Sequence, residues 1–196
     1  LQTIYDAALK AGKHAEAIKA LTKRITHEGA VQGSKPEEKI TRLQDEIDMV
    51  PVEAKPLLET VLGHWYWQYF QQNRYRFMQR TATAEPLGKD FTTWDLPRLY
   101  REIDLHFTNA LADGRLKTIP TTDFADLLTK PTLPENYRPT LYDFIAHEAL
   151  SFYTSGEFAA AKPEDAFEIK ATDPVLDSLN KFLAWNPQPT DPGSPH

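Results

Sequence analysis

The stretch Val61-Leu-Gly-His-Trp-Tyr-Trp-Gln-Tyr-Phe-Gln-Gln-Asn-Arg-Tyr-Arg-Phe-Met78 constrains this chain more than any other, because it is dense in aromatics and almost free of turn residues. Its apolar positions wrap more than one side of a helix, so the segment has to be buried between several neighbours. Elsewhere, apolar residues recur at helical spacing and no segment alternates with a period of two for long. The sequence therefore predicts an all-α fold: irregular helical hairpins packed as a bundle or a short tetratricopeptide-like solenoid, with the aromatic helix at its centre.

The first 26 residues read as two short antiparallel helices joined at Gly12-Lys13-His14, with Ile4, Ala8, Ala11, Ala17, Ile18, Leu21 and Ile25 on the inner faces. Ala11-Gly-Lys-His-Ala-Glu-Ala17 resembles the turn and second helix of a tetratricopeptide repeat, and Gly156-Glu-Phe-Ala-Ala-Ala161 echoes it. Two echoes so far apart do not make an array, so a plain helical hairpin is the preferred reading. Gly29 to Ser34 reads as a loop. Ser34, Pro36 and Glu37 form a helix-start signal, and Ile40, Leu43 and Ile47 line the inner face behind it. Val50-Pro51 ends that helix, and a long helix is predicted from near Val52 to Arg80, with Pro56 in its first turn.

A loop is expected over Thr81 to Thr93, followed by a helix capped by Asp95. Its stripe of Leu96, Leu99, Tyr100, Ile103, Phe107, Ala110 and Leu111 is the cleanest in the chain, and Gly114 ends it. Further helices are expected at Thr122–Leu128, from Thr140 to about Thr154, and from Asp173 to Trp185. The last would bury Val175, Leu176, Leu179, Phe182 and Leu183. Pro187, Pro189, Pro192 and Pro195 forbid a helix beyond that point. The expected organisation is a helical domain over 1–185 and a proline-rich tail or linker over 186–196.

Charge and composition exclude several functions. The formal net charge is −6, and from Ser151 onward Lys162, Lys170 and Lys181 stand against seven acids. An acidic chain without a dense basic run is a poor nucleic-acid ligand. With no cysteine, the chain has no disulfide, thiolate zinc site, cysteine nucleophile or internal thioester. No apolar run approaches the roughly 18 residues of a membrane span, so no direct membrane insertion is expected. The chain opens on Leu1 without a methionine and reads as a fragment of something longer.

Reactive groups are few. His27-Glu28 and His147-Glu148 do not extend to His-Glu-x-x-His, so no metal ligands are assigned. There is no Gly-rich phosphate loop and no Gly-x-Ser-x-Gly elbow. Glu148 falls on the apolar face of its helix, where a carboxylate needs a partner such as Arg74, Arg76 or Arg101. His106, by its spacing from Leu99 and Ile103, and His64, by its spacing from Leu57, both read as inward, satisfied core histidines. Asn73-Arg-Tyr-Arg-Phe-Met-Gln-Arg80 interleaves bases and aromatics. In so acidic a chain it reads as a helix-end cluster pairing with nearby acids rather than as a nucleic-acid site. The Trp65-Tyr66-Trp67 run reads as core filling. No catalytic, cofactor-binding or metal residue is assigned.

Tyr137-Arg-Pro-Thr-Leu-Tyr-Asp-Phe-Ile-Ala-His-Glu-Ala-Leu-Ser-Phe-Tyr153 and Phe182-Leu-Ala-Trp-Asn-Pro187, with the aromatic helix before them, carry a family resemblance. Together they resemble the N-terminal helical region of large bacterial alpha-2-macroglobulin-family proteins. The resemblance implies a helical segment preceding β-sandwich macroglobulin domains in an extracytoplasmic protease trap, periplasmic or membrane-anchored facing the periplasm. Such traps use a cleavable bait and often a Cys–Gln thioester, neither of which transfers to any position here. The implied role is a noncatalytic scaffold or interaction module, its partners other domains of the same polypeptide or another protein. The alternative is a free-standing tetratricopeptide-like adaptor that binds peptides in a groove. A third reading, an enzyme built around Glu148 and the inward histidines, expects a water-filled cavity where at least two of those groups converge.

Overall fold

The computed structural model describes residues 1–31, 36–79, 88, 90–128, 137–155 and 172–186. The described residues are all-α and contain no strand; their one β-type contact is an isolated bridge between Pro120 and Thr140. The chain divides into two compact units, Leu1–Thr154 and Ser155–His196. Apart from Asn186, the proline-rich tail lies outside the described residues, as do Ser34 and the Gly156–Ala161 echo.

In the first unit, α1 (Gln2–Lys10) and α2 (His14–Val31) form the expected hairpin. Gly12 turns the chain with φ +67°, a left-handed conformation that a side chain would strain. The turn is closed by the Lys13 amide donating to Ala8 O at 2.9 Å. Helix α2 runs on through Gly29 to Val31, where a loop was expected from Gly29. Helix α3 (Pro36–Ile47) packs antiparallel to α2: Arg24 pairs with Glu46, and Arg42 Nη1 lies 2.6 Å from Glu28 Oε2. Ile40, Leu43 and Ile47 are buried as the spacing requires.

The aromatic segment is the hub, packing against α3 and against two later helices, α6 (Leu96–Leu111) and α7 (Leu141–Tyr153). It is not one helix from Val52 to Arg80. A turn at Val52–Ala54 precedes α4 (Lys55–Gln72), and a break at Asn73 separates α4 from the short α5 (Arg74–Met78). The cause of the break is local. Asn73 leaves helical geometry at φ −115°, ψ 19°, and both its amide N and its Nδ2 donate to Tyr69 O, at 3.1 and 2.9 Å. An asparagine side chain that competes for a helical carbonyl favours termination. Buried residues on several faces of α4 (Leu57, Leu58, Leu62, Tyr66, Tyr69, Phe70) confirm that it is enclosed.

Helix α6 (Leu96–Leu111) lies antiparallel to α4 and buries the whole predicted stripe except Leu111, which is half-buried. Asp95 caps it, its Oδ1 accepting from Arg98 N at 2.9 Å. Gly63 allows the two helices to approach closely, since a Cβ there would sit 3.4 Å from His106 Cβ and 3.5 Å from Phe107 Cε2. Single turns of 3-10 helix occupy Phe91–Thr93, inside the expected loop, and Thr121–Phe124, where an α-helix was expected. Asp113 caps a further 3-10 turn, Gly114–Thr118. Helix α7 (Leu141–Tyr153) opens with a complete Thr140–Asp143 capping box and runs parallel to α4 and antiparallel to α6. It buries Leu141, Ile145, Ala149 and Phe152.

The second unit contains a 3-10 turn at Pro174–Leu176 and the short α8 (Leu179–Ala184). Ser178, in extended conformation at φ −158° and accepting from Lys181 N, interrupts the single helix expected over Asp173–Trp185. Leu176, Leu179, Phe182 and Leu183, expected to be covered, are exposed.

Candidate functional site

Two polar clusters flank α4, and a cleft opens at the α1–α2 hairpin. On the α6 side of α4, Glu59 and His106 are both buried, with His106 Nδ1 2.6 Å from Glu59 Oε2. A carboxylate accepts only, so Nδ1 donates. The opposite ring nitrogen lies 3.8 Å from Glu102 Oε1, and Glu102 is reached in turn by Arg98 Nη2 at 3.5 Å. Tyr66 stacks on the imidazole, with centroids 5.6 Å apart and planes 14° apart. Burial, reinforced by the nearby Glu102 charge, pushes the Tyr66 hydroxyl well above the ordinary tyrosine range. Arg98 lies over the Trp94 ring at 4.9 Å. His106 is thus inward, as its spacing implied, but only half satisfied: Nδ1 is held by Glu59, while the buried Nε2 has no hydrogen-bond partner, Glu102 lying too far away at 3.8 Å. The arrangement is a buried acid–imidazole pair with a second, partly exposed carboxylate nearby, which suits it to holding α4 against α6.

On the α7 side, His64 and Glu148 meet, but at the surface. His64 Nδ1 is 4.0 Å from Glu148 Oε2 with 40% of its side chain exposed, so it is not the core histidine expected from its distance to Leu57. Gln68 Nε2 lies 2.9 Å from His64 Nε2. Glu148 does have an arginine partner, but it is Arg138 at 3.7 Å, from the segment leading into α7, rather than Arg74, Arg76 or Arg101. Of the groups an enzyme reading would bring together, His64 and Glu148 meet, His106 is held by Glu59, and the cleft at the α1–α2 hairpin is lined by none of the three. Of the Trp65-Tyr66-Trp67 run, only Tyr66 is fully enclosed. Trp65 lies under the Lys39 ammonium at 4.9 Å, and Trp67 packs edge-on against Phe152 at 5.7 Å.

Glu59, Glu102, Arg138 and the Tyr153–Asp104 pair were not singled out from the sequence. Glu59 had a usable signal, being a lone acid in the run Pro56-Leu-Leu-Glu-Thr-Val-Leu62. Tyr153 donates its hydroxyl to Asp104, and burial raises Asp104 above the usual carboxylate range while that hydrogen bond opposes the rise.

The cleft has a volume of about 840 Å³ and lies between α1, the start of α2 and residues 119–126. Ile4, Ala20, Ile119 and Phe124 supply apolar wall, while Lys13, Lys19 and Lys23 face Glu16, Glu53, Asp123 and Asp126. Lys19 Nζ donates to Asp126 O at 2.7 Å and so ties α2 to the far wall. Among the described residues no cluster of three or more His, Asp or Glu suits a metal ion, and no helix is long and apolar enough to cross a membrane. No protein-family model matches this chain, and no curated protein or solved structure is significantly similar to it.

Proposed function

We propose that this chain is a noncatalytic helical scaffold or interaction module of a bacterial alpha-2-macroglobulin-like protease inhibitor, acting outside the cytoplasm through other domains of its polypeptide or another protein. The observation that carries the reading is the use of the segment behind the resemblance. Tyr137–Tyr153 supplies a complete capping box and the buried Leu141, Ile145, Ala149 and Phe152. It also supplies Arg138 and Glu148, which pair with each other. Its residues build the helical body, as a scaffold motif should. The test is a denaturing immunoblot of the native host with antibody against this chain. A band several times the chain's own 22.4 kDa is expected, and a band near that mass refutes the reading.

The second reading, a free-standing peptide-binding adaptor, is favoured by the cleft, whose size falls within the range of ligand sites, roughly 300–1,000 Å³. It requires saturable binding of an acidic or extended peptide by the isolated chain. That binding should be lost when Ala20, buried in the cleft wall, is replaced by a bulky tryptophan in a variant that still folds.

A further inference from the structure

Asp113–Gly114 is the one place where this chain joins an aspartate to a following glycine. That pair is chemically labile, because glycine leaves its amide nitrogen uncrowded and the aspartate carboxyl can reach it. The nitrogen attacks Cγ, one water leaves, and a five-membered succinimide closes. Water then reopens the ring at either carbonyl. One opening restores aspartate; the other routes the backbone through the side chain as isoaspartate, an isomer of equal mass.

Steric cover at the site is slight: Gly114 is exposed, and a Cβ added there would meet nothing within 4 Å. What the site has instead is Arg115. Asp113 caps the 3-10 turn Gly114–Thr118, and its Oδ1 accepts from the Arg115 amide at 3.0 Å. The Arg115 side chain folds back over the same carboxylate. Its Nε lies 2.9 Å from Oδ1 and 3.1 Å from Oδ2, and its Nη2 lies 2.6 Å from Oδ2. Both oxygens are thus held by one residue through the planar fork of a guanidinium. Val52 O, 3.4 Å from Nη2, and Glu53 Oε1, 3.8 Å from Nη1, steady that fork from the turn before α4. Under it the Asp113 side chain is only 18% exposed.

Two consequences bear on the reaction. Attack needs the Asp113 carboxyl to swing onto the Gly114 nitrogen, whereas the cap and the fork direct it one residue further on. Closure also proceeds from the protonated carboxyl, whose hydroxyl can leave as water. The hydrogen bonds from Arg115 hold this carboxyl below the usual carboxylate range.

We infer that Asp113–Gly114 is a latent isomerisation site and that Arg115 is the guard that keeps it in the ordinary aspartyl form. Conversion would insert a methylene into the backbone at the cap of the turn that carries the buried Leu116. The site is the same in a domain of a longer polypeptide and in a free-standing chain, so it does not rest on the protease-trap reading.

The experiment ages the purified protein in mildly acidic buffer, well below its melting temperature. Isoaspartate at position 113 is then counted by peptide mapping with electron-transfer fragmentation, which separates the two isomers. The parent, Arg115→Ala and Thr140→Ala, a variant weakened at another cap, are compared with the free peptide spanning Leu111–Thr118. The peptide should isomerise, the parent and Thr140→Ala should do so many times more slowly, and Arg115→Ala should approach the peptide. Adding Gly114→Val to Arg115→Ala crowds the attacking nitrogen and should suppress the product. Circular dichroism checks folding; should Arg115→Ala fail to fold, Arg115→Lys, which keeps the charge without the fork, replaces it with the same direction of change expected. A peptide that forms no isoaspartate overturns the latent site. Equal product in the parent and the Arg115 variant, or an equal rise in Thr140→Ala, overturns the guard.

Discussion

Replacing His106 by leucine removes the imidazole that partners Glu59 while keeping the volume between α4 and α6 nearly filled. The variant therefore reports on the polar bridge rather than on a cavity. Glu59, buried at 8% exposure, then has no donor at 2.6 Å. Breaking a buried pair by deleting one member costs about 3–5 kcal/mol. Loss of the Tyr66 stack lies within that figure, at about 0.5–1.5 kcal/mol. Glu102 suffers less, because Arg98 remains 3.5 Å away. Glu59→Leu alone leaves His106 Nδ1 without its hydrogen-bond partner, at about 1–3 kcal/mol. The double variant strands nothing and should return to within about 2 kcal/mol of the parent, as apolar replacement of buried pairs generally does. Urea unfolding followed by tryptophan fluorescence, with an unchanged slope, measures all three variants. A His106→Leu cost below about 1 kcal/mol, or single costs that simply add in the double variant, would refute the bridge as a coupled unit.

Gly63→Leu should lower stability by about 1–3 kcal/mol or more, because its side chain would have to enter a seam already closed by His106 and Phe107; thermal and urea unfolding check this. Thr140→Ala removes the side chain that accepts from Asp143 N and should cost about 0.5–2 kcal/mol in the same assays. Asp104 has a raised native pKa, chiefly through burial, so the native state holds the extra proton between the unfolded value of about 3.9 and the raised native one. Its contribution to stability is therefore present below that unfolded value and lost as pH rises through the native one. Asp104→Asn, which still accepts from Tyr153, should flatten this part of the stability–pH curve and be at least as stable as the parent at neutral pH; a steeper curve would contradict it. Tyr66 and Tyr153 are both raised by burial, so stability should fall above about pH 10 and their tyrosinate absorbance should appear only with unfolding.

Where a helix has one apolar face, its placement was legible in the sequence. The α6 stripe and the Asp95 cap were both readable, and so was the inward position of His106. Likewise the Thr140–Asp143 pair marked the start of α7 before any packing was known. The aromatic segment was harder because it is apolar on nearly all sides. Tyr69 and Phe70 before the break, and Phe77 after it, continue the same pattern, so periodicity runs straight through Asn73. What stops the helix there is a side-chain hydrogen bond that no periodicity reports. The same all-round character misplaced His64. On a helix enclosed from several directions, a spacing of seven from Leu57 names a side of the cylinder, and α7 covers that side only in part.

The site shows where this reasoning stops, in terms of distance along the chain. A polar residue on an apolar face can be flagged from its own helix, as Glu148 and His106 were. Its partner cannot, because the partner arrives by tertiary packing. His106 meets Glu59 across 47 residues, and Tyr153 meets Asp104 across 49. Glu148 takes Arg138, ten positions away, over the three arginines that charge alone nominated. Desolvation requires some partner in each case but is indifferent to which one supplies it. Such residues therefore mark where packed segments meet: Glu59–His106 closes the seam of α4 with α6, and Tyr153–Asp104 that of α6 with α7. Because α4 also contributes His64 to the second cluster and Tyr69 and Phe70 to the anchor of Phe77, both polar clusters and the anchoring of α5 depend on the aromatic helix.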